Sequence, residues 1–277
     1  MRTLPSTQSV LFAVALLLGS GWSQPGHADS QKLVLTGAST IAPLVSEIAR
    51  RFESRYPGTR IDVQSGGSSR GINDVRNGTA DIGMVSRSLK PEENDLRAHT
   101  IAWDGVGVIL HASNPVAALS QQQIRDIYTG GIVNWKTVGG KDAPITVVNK
   151  ADGRSTLELF LNHFKLKNSD IKPHVIIGEN SQGIKTVAGN QNAIGYVSIG
   201  AAEYEARQGA AIKLLPLDGI PATTMSVRNG TFPLSRPLNL VTRGAPEGLA
   251  REFIEFARSA PVHDLVEAHY FVPAGVR

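Results

Sequence analysis

The chain has 277 residues, 41% of them apolar, enough for one large domain or two smaller ones with real cores, which excludes a disordered protein. Its 28 basic and 24 acidic residues leave a formal charge of +4, scattered along a chain with few aromatic side chains, a balance suited to small anions and not to nucleic acid. With no cysteine there is no disulfide, thiolate nucleophile, Cys-ligated metal or lipid-attached cysteine.

Residues 1–28 read as a secretory signal, with Arg2 near the start, the apolar run Val10 to Leu18, and Gly26-His27-Ala28 as a small-x-small cleavage site. The run is short for a bilayer span and no second apolar segment follows it, so the mature chain is predicted to be exported and soluble after cleavage near Ala28.

Leu33-Val34-Leu35 predicts a strand, followed by the hydroxyl-rich loop Thr36-Gly37-Ala38-Ser39-Thr40 and a helix through Leu44, Ile48 and Phe52. Ser39 or Thr40 is expected to cap that helix, with Pro43 in its first turn. After Pro57-Gly58, Ile61 to Gln64 alternates as a half-buried strand and runs into Gly66-Gly67-Ser68-Ser69-Arg70-Gly71. A short helix with Ile72 and Val75 and an Asn77-Gly78 stop follows. The glycines let backbone approach a ligand, Ser68 and Ser69 offer hydroxyls, and the N–H groups of a helix start carry partial positive charge, so this turn suits an oxyanion. Ala80 to Arg87 is a third short strand, ending in Ser86 and Arg87. Three successive strands thus deliver hydroxyls at their C-terminal ends, where open α/β sheets bind ligands.

Ile101 to Leu110 predicts another strand, broken off by Asn114-Pro115, and Ser120 to Tyr128 a helix capped by Ser120 and stopped by Gly130-Gly131. Asn134-Trp135 and Gly139-Gly140 form a loop before the strand Ile145 to Val148. That strand runs into Lys150-Ala151-Asp152-Gly153-Arg154-Ser155-Thr156, a fourth hydroxyl-bearing turn, ahead of a helix with Leu157, Phe160, Leu161 and Phe164. An anion facing it gains two cationic donors, and charge-assisted bonds are about twice as strong as neutral ones. Further strands are predicted at Val175 to Ile177, Ala193 to Val197, Ile212 to Leu215 and Leu238 to Val241, with helices at Ser181 to Ala188 and Glu247 to Ala257. Alternation of strands and helices predicts an α/β fold, and two sets of anion-facing loops predict two lobes. Residues 29–110 with 228–277 are expected to form one lobe and residues 111–227 the other, a split that one continuous sheet would oppose.

Five landmarks in order, Thr36 to Pro43, Gly66 to Ile72, Asp81 to Leu89, Ile127 to Trp135 and Val147 to Phe160, give the chain its resemblance to the periplasmic phosphate-binding proteins that serve ABC importers. Ala193 to Ser198 and Pro233 to Pro237 resemble later segments of the same family. The resemblance implies a two-lobed periplasmic binding protein, a Venus flytrap with a mixed sheet flanked by helices in each lobe and two crossing strands, closing over one dehydrated phosphate. It implies a periplasmic monomer that takes inorganic phosphate or a similar oxyanion, partners a membrane ABC permease, and uses no cofactor, metal or catalytic residue. By position Ser39, Thr40, Ser68, Ser86, Lys150, Arg154, Ser155 and Thr156 match the family's ligand-contacting positions, and Ser69 and Arg87 complete the expected set. Three positions depart from the family. Ser86 stands where long members carry an aspartate that accepts a proton from phosphate, Lys150 where arginine is usual, and Arg154-Ser155-Thr156 where Ser-Gly-Thr is usual. The arginine is thus placed either in the site or outside it, and discrimination against sulfate lacks its usual carboxylate.

Other readings compete. Gly67-Ser68-Ser69-Arg70-Gly71 satisfies the G-x-S-x-G elbow of serine hydrolases, for which His163, His174, His263 or His269 would have to complete the machinery. A hydrolase would leave the other hydroxyl-rich turns without a purpose. A secreted phosphate sensor or adhesin on the same fold is a further alternative. The histidines lack metal-site spacing; Trp103, Trp135 and Tyr196 are expected in the core; Asp81 and Asp152 either hold Arg87 and Lys150 or cap helices.

Overall fold

The computed structural model describes residues 31–276, so the signal reading of residues 1–28 lies outside the described residues. Strands and helices alternate as β1 (Gln31–Gly37), α1 (Ala42–Arg55), β2 (Thr59–Ser65), α2 (Ser68–Asn77), β3 (Ile82–Val85), β4 (Leu96–His111), α3 (Gln121–Thr129) and β5 (Thr146–Lys150). They continue as α4 (Ser155–Phe164), β6 (Val175–Ile177), α5 (Asn180–Ala188), β7 (Ala193–Ser198), α6 (Ile199–Arg207) and β8 (Ile212–Leu214). The chain ends with α7 (Thr224–Arg228), β9 (Ser235–Arg243), α8 (Gly248–Ala257), α9 (His263–Ala268) and β10 (Val272–Pro273). Local chemistry sets many of the ends: Ser120 Oγ accepts from Gln123 N at 3.1 Å to open α3, and Gly78 and Gly130 close α2 and α3.

The strands join in the order β2-β1-β3-β9-β4-β7-β5-β6, with β8 and β10 also paired to β4. Parallel pairs lie at both ends of this path, where helices cross over (β1 with β2 and β3, β5 with β6 and β7), and antiparallel pairs in the middle. The hydrogen-bonded path is continuous because β4, 16 residues and so about 50 Å long, serves both halves. Its first part, Leu96 to Gly105, pairs with β9, and its last part, from Val106, pairs with β7 and β8.

Side-chain packing is divided where hydrogen bonding is not. One core gathers Leu35, Ile48, Phe52, Ile101, Ala102, Leu238, Leu240 and Phe253; another gathers Val106, Leu110, Tyr128, Phe160, Tyr196, Phe232 and Leu234. The chain passes between these two cores between Ala102 and Val106 and between Leu234 and Leu238, and again near the end of the described residues, where Phe271 belongs to the first core and Val272 to the second. Trp135 is buried in the second core with its Nε1 donating to Asn192 O at 2.9 Å, Tyr196 stacks on Phe160 at 3.9 Å, and Trp103 packs against the same core. Asp81 and Asp152 do not hold Arg87 and Lys150. Asp81 accepts from Val34 N at 2.7 Å and Asp152 from Asn168 Nδ2 at 2.8 Å, each satisfying a nearer donor.

Candidate anion-binding site

Four helix starts converge where strands of both halves end. Ala38 to Thr40 leads β1 into α1, Gly67-Ser68 leads β2 into α2, Arg154 to Thr156 opens α4, and Gly178 to Asn180 leads β6 into α5. With Ser86 after β3 and Lys150 ending β5, these residues line one small cavity, far below the about 300–1,000 Å³ of clefts that take organic ligands. First-turn N–H groups lack intrahelical partners and carry the positive end of the helix dipole, so the four starts place partial positive charge around one point. The lining includes no carboxylate.

Ser39 or Thr40 is expected from the sequence to cap α1, and neither does. The N-cap is Ile41, with no side-chain cap. Their oxygens instead accept bonds from across the cleft: Ser39 Oγ from Arg154 Nη1 at 3.3 Å, and Thr40 Oγ1 from Asn180 Nδ2 at 3.2 Å. Arg154 therefore points inward. Its side chain is 18% exposed and its Nη1 also donates to Glu179 Oε1 at 3.0 Å. Ser68 Oγ accepts from Ser86 N at 3.1 Å and meets the Ser155 hydroxyl, which joins α2 to α4.

Lys150 is 3% exposed, and its Nζ donates to Asn180 Oδ1 at 3.0 Å. Burial, followed by the Arg236 charge, lowers its pKa from 10.5 to about 7; Arg154 adds to the shift and Glu179 opposes it. An anion in the cavity supplies the counter-charge that this ammonium lacks.

Arg236 stands behind the lining, in a place sequence reasoning missed. It is 1% exposed; its Nε and Nη2 donate to Asp104 Oδ2 at 3.2 and 2.9 Å, and Asp104 Oδ1 accepts from Gly200 N at 3.2 Å. Asp104 and Arg236 face each other in the antiparallel register of β4 and β9, where both strands pass between cores. The rest of the guanidinium donates to Thr156 Oγ1 at 2.9 Å, Thr40 Oγ1 at 3.4 Å and Ser86 Oγ at 3.5 Å. An arginine only donates, so these hydroxyl oxygens accept from it and keep their own O–H free for a ligand. Strand parity was the available signal: Arg236 shares a face with buried Leu238 and Leu240, and a charge on a buried face requires a partner. Asn180 was also missed, since α5 begins one residue before the predicted helix.

Eight of the ten expected residues line the cavity: Ser39, Thr40, Ser68, Ser86, Lys150, Arg154, Ser155 and Thr156. Ser69 and Arg87 are not brought there. Ser69 N donates to Gly153 O at 3.3 Å, and the Arg87 fork is taken by Glu93 at 2.7 and 2.8 Å. Arg87 Nε also lies 2.9 Å from Glu158 Oε2, an ion pair without hydrogen-bond alignment, and Lys90 Nζ lies 3.2 Å from the same oxygen. Two carboxylates thus hold Arg87 away from the cavity. No histidine is hydrogen-bonded to Ser68 or Ser69 among the described residues; His174 Nδ1 accepts from Val147 N at 3.0 Å, and His269 lies 3.3 Å from Glu47.

Gly67 sets how closely the two sides meet. Its φ is +107°, and a Cβ there would lie 2.7 Å from Gly153 O and 3.1 Å from Arg154 Cδ. Gly67→Ala is expected to weaken anion binding by about 1–3 kcal/mol, the usual cost of such backbone strain. Calorimetric titration checks this, and native affinity in the variant would show that binding does not need this close approach.

A family model described as a PBP superfamily domain matches residues 23–261. Phosphate-binding protein PstS of Bacillus subtilis is 29% identical over 269 residues, which covers 92% of this chain and 87% of that protein. A structure from Clostridium perfringens, assigned as a phosphate ABC transporter substrate-binding protein and holding bound phosphate, superposes with a TM-score of 0.81 at 33% identity, covering 88% of this chain and 100% of that one. An ABC-type phosphate transport receptor from Vibrio cholerae superposes with a TM-score of 0.72 at 29% identity, covering 87% and 99%.

Proposed function

The chain belongs to the PBP superfamily, and on that footing we propose that it captures inorganic phosphate between its lobes and delivers it to an ABC importer. The observation that carries this reading is the cavity itself: hydroxyls, helix starts and one buried lysine from both sides converge on a space without a carboxylate. We also propose that the mature protein is an exported, periplasmic monomer released from residues 1–28, and that it binds without turnover.

The same contacts explain how an anion would close the cleft. Ser39 with Arg154, Thr40 with Asn180, Ser68 with Ser155, and Thr156 with Arg236 join residues of the two proposed lobes. A ligand that meets donors from both sides binds the closed arrangement better than the open one, and that difference in affinity drives closure. The proposed lobes are residues 29–110 with 228–277 and residues 111–227; the packing changes core a few residues from those bounds, between Ala102 and Val106 and between Leu234 and Leu238, and the hinge is proposed there.

Calorimetry of the mature protein with phosphate, sulfate, molybdate and a small organic anion tests the proposal. One phosphate per chain, with no release of product on prolonged incubation, is expected. No heat with phosphate beside clear binding of another anion would reassign the ligand.

A further inference from the structure

We propose that Glu158 is a positioning residue for anion capture: by bridging Arg87 and Lys90 across the cleft it holds the first turn of α4 against the far side of the cavity, and so slows release of the bound anion. The inference rests on the reading of the cavity as a phosphate site between two lobes.

Glu158 lies in the first turn of α4, three residues after Ser155, so the two side chains project from one face of the helix. That face looks across the cleft. Ser155 meets the Ser68 hydroxyl at the start of α2, and Glu158 Oε2 lies 2.9 Å from Arg87 Nε and 3.2 Å from Lys90 Nζ, in the segment after β3. Leu157, Phe160 and Phe164 of the same helix are buried in the core that holds Tyr128 and Tyr196. Helix α4 is thus fixed by its apolar side to one proposed lobe, residues 111–227, and by the polar face of its first turn to the other. Ser86, which lines the cavity, immediately precedes Arg87, so the ion pair fastens cavity-lining segments on both sides of the gap.

The charges are arranged so that closing gains a contact and opening strands none. Arg87 is 6% exposed; its Nη1 and Nη2 donate to Glu93 at 2.7 and 2.8 Å, and its carbonyl accepts from Asn239 Nδ2 at 2.8 Å, all within its own proposed lobe. That pair is neutral and needs nothing from α4. The Lys90 backbone N donates to Glu93 Oε2 at 2.8 Å, which keeps the Lys90 chain beside Arg87. Two cations therefore share one carboxylate until Glu158 arrives and balances the four charges. The Glu158 side chain is 22% exposed when paired, and the Lys90 side chain 43%, so on opening both return to water while Arg87 keeps Glu93. A contact made only in the closed arrangement adds to the apparent affinity of any ligand that closes the cleft, without touching that ligand.

The experiment is phosphate binding by calorimetry and stopped-flow fluorescence on the native chain, Glu158→Gln, Lys90→Met and the double variant, with denaturation of each ligand-free protein alongside. Glu158→Gln is expected to weaken phosphate by about 5- to 150-fold, the range of such couplings, through faster release and with association unchanged. Its ligand-free denaturation midpoint is expected to stay at the native value. Lys90→Met is expected to weaken binding less, and the double variant to be no weaker than Glu158→Gln alone, because both substitutions break one contact. Native affinity in Glu158→Gln, a loss carried by slower association, or additive losses in the double variant would overturn the proposal. So would a Glu158→Gln chain that folds poorly without ligand, since the pair would then hold the fold and not the closed cleft. Native release from Lys90→Met, whose side chain is partly exposed, would remove the bridge independently of the Glu158 variant. No phosphate binding by the native chain would instead strike the phosphate reading itself.

Discussion

Arg236→Met is expected to cost the ligand-free protein about 3–5 kcal/mol of folding stability, the usual penalty for leaving one member of a buried ion pair uncompensated. Arg236 and Asp104 are each 1% exposed in their side chains and sit opposite each other where both crossing strands leave one core for the other. Without the guanidinium, the Asp104 carboxylate keeps the Gly200 N–H as its hydrogen-bond donor among the described residues, and the donor to Thr40, Ser86 and Thr156 is lost. The double variant Asp104→Leu with Arg236→Met is expected to recover much of that stability, because it removes the stranded charge. It should not recover anion binding, because its site hydroxyls have lost the donor that turns their O–H groups outward. Chemical denaturation of the three proteins checks the first claim and titration the second. A loss below about 1 kcal/mol in the single variant would mean that Asp104 is readily resolvated.

Lys150→Met should move stability and binding in opposite directions. A charged hydrogen bond to the anion is lost, so affinity is expected to fall by about 1.5–3 kcal/mol, or about 10- to 150-fold. Folding is expected to gain, since the drop of the lysine pKa from 10.5 to about 7 corresponds to a penalty of at most about 5 kcal/mol. That penalty is fully present below pH 7, where the folded state carries a buried ammonium. It is relieved as pH rises from about 7 towards 10.5, because there the unfolded chain binds the extra proton. Native stability should therefore climb across this window relative to Lys150→Met. Arg154→Ala is expected to cost less affinity than Lys150→Met, because Arg154 is more exposed and partly neutralised by Glu179. A larger loss in Arg154→Ala would make the arginine the principal anchor.

The features legible in the sequence were those written locally. The turns at Ser39, Ser68, Ser86 and Ser155 could be read because each follows a short strand and all but the one at Ser86 open a helix, and the folded chain needs no further information to place a hydroxyl at such a turn. What escaped is set by long-range pairing. Arg236 meets Asp104 across 132 residues of chain, and Arg87, read as an anion contact because it follows Ser86, is captured by Glu93 and by Glu158 of another helix. Helix α6 follows β7 without a break, its start marked only by Ser198, whose Oγ accepts from Ala201 N at 3.2 Å, and α7 and α9 are too short for periodicity to register. The capping expected of Ser39 and Thr40 failed because hydroxyls that could serve a helix end found stronger donors across the cleft.

A crystal structure of the mature protein grown with phosphate is the most direct measurement of where the anion sits. The expected result is tetrahedral density in the cavity with oxygens about 2.5–3.2 Å from the hydroxyls of Ser39, Thr40, Ser86 and Thr156 and from Lys150 Nζ. Phosphate bound elsewhere, with Lys150 and Arg154 unchanged and without contact to it, would contradict the assignment of this cavity as the binding site.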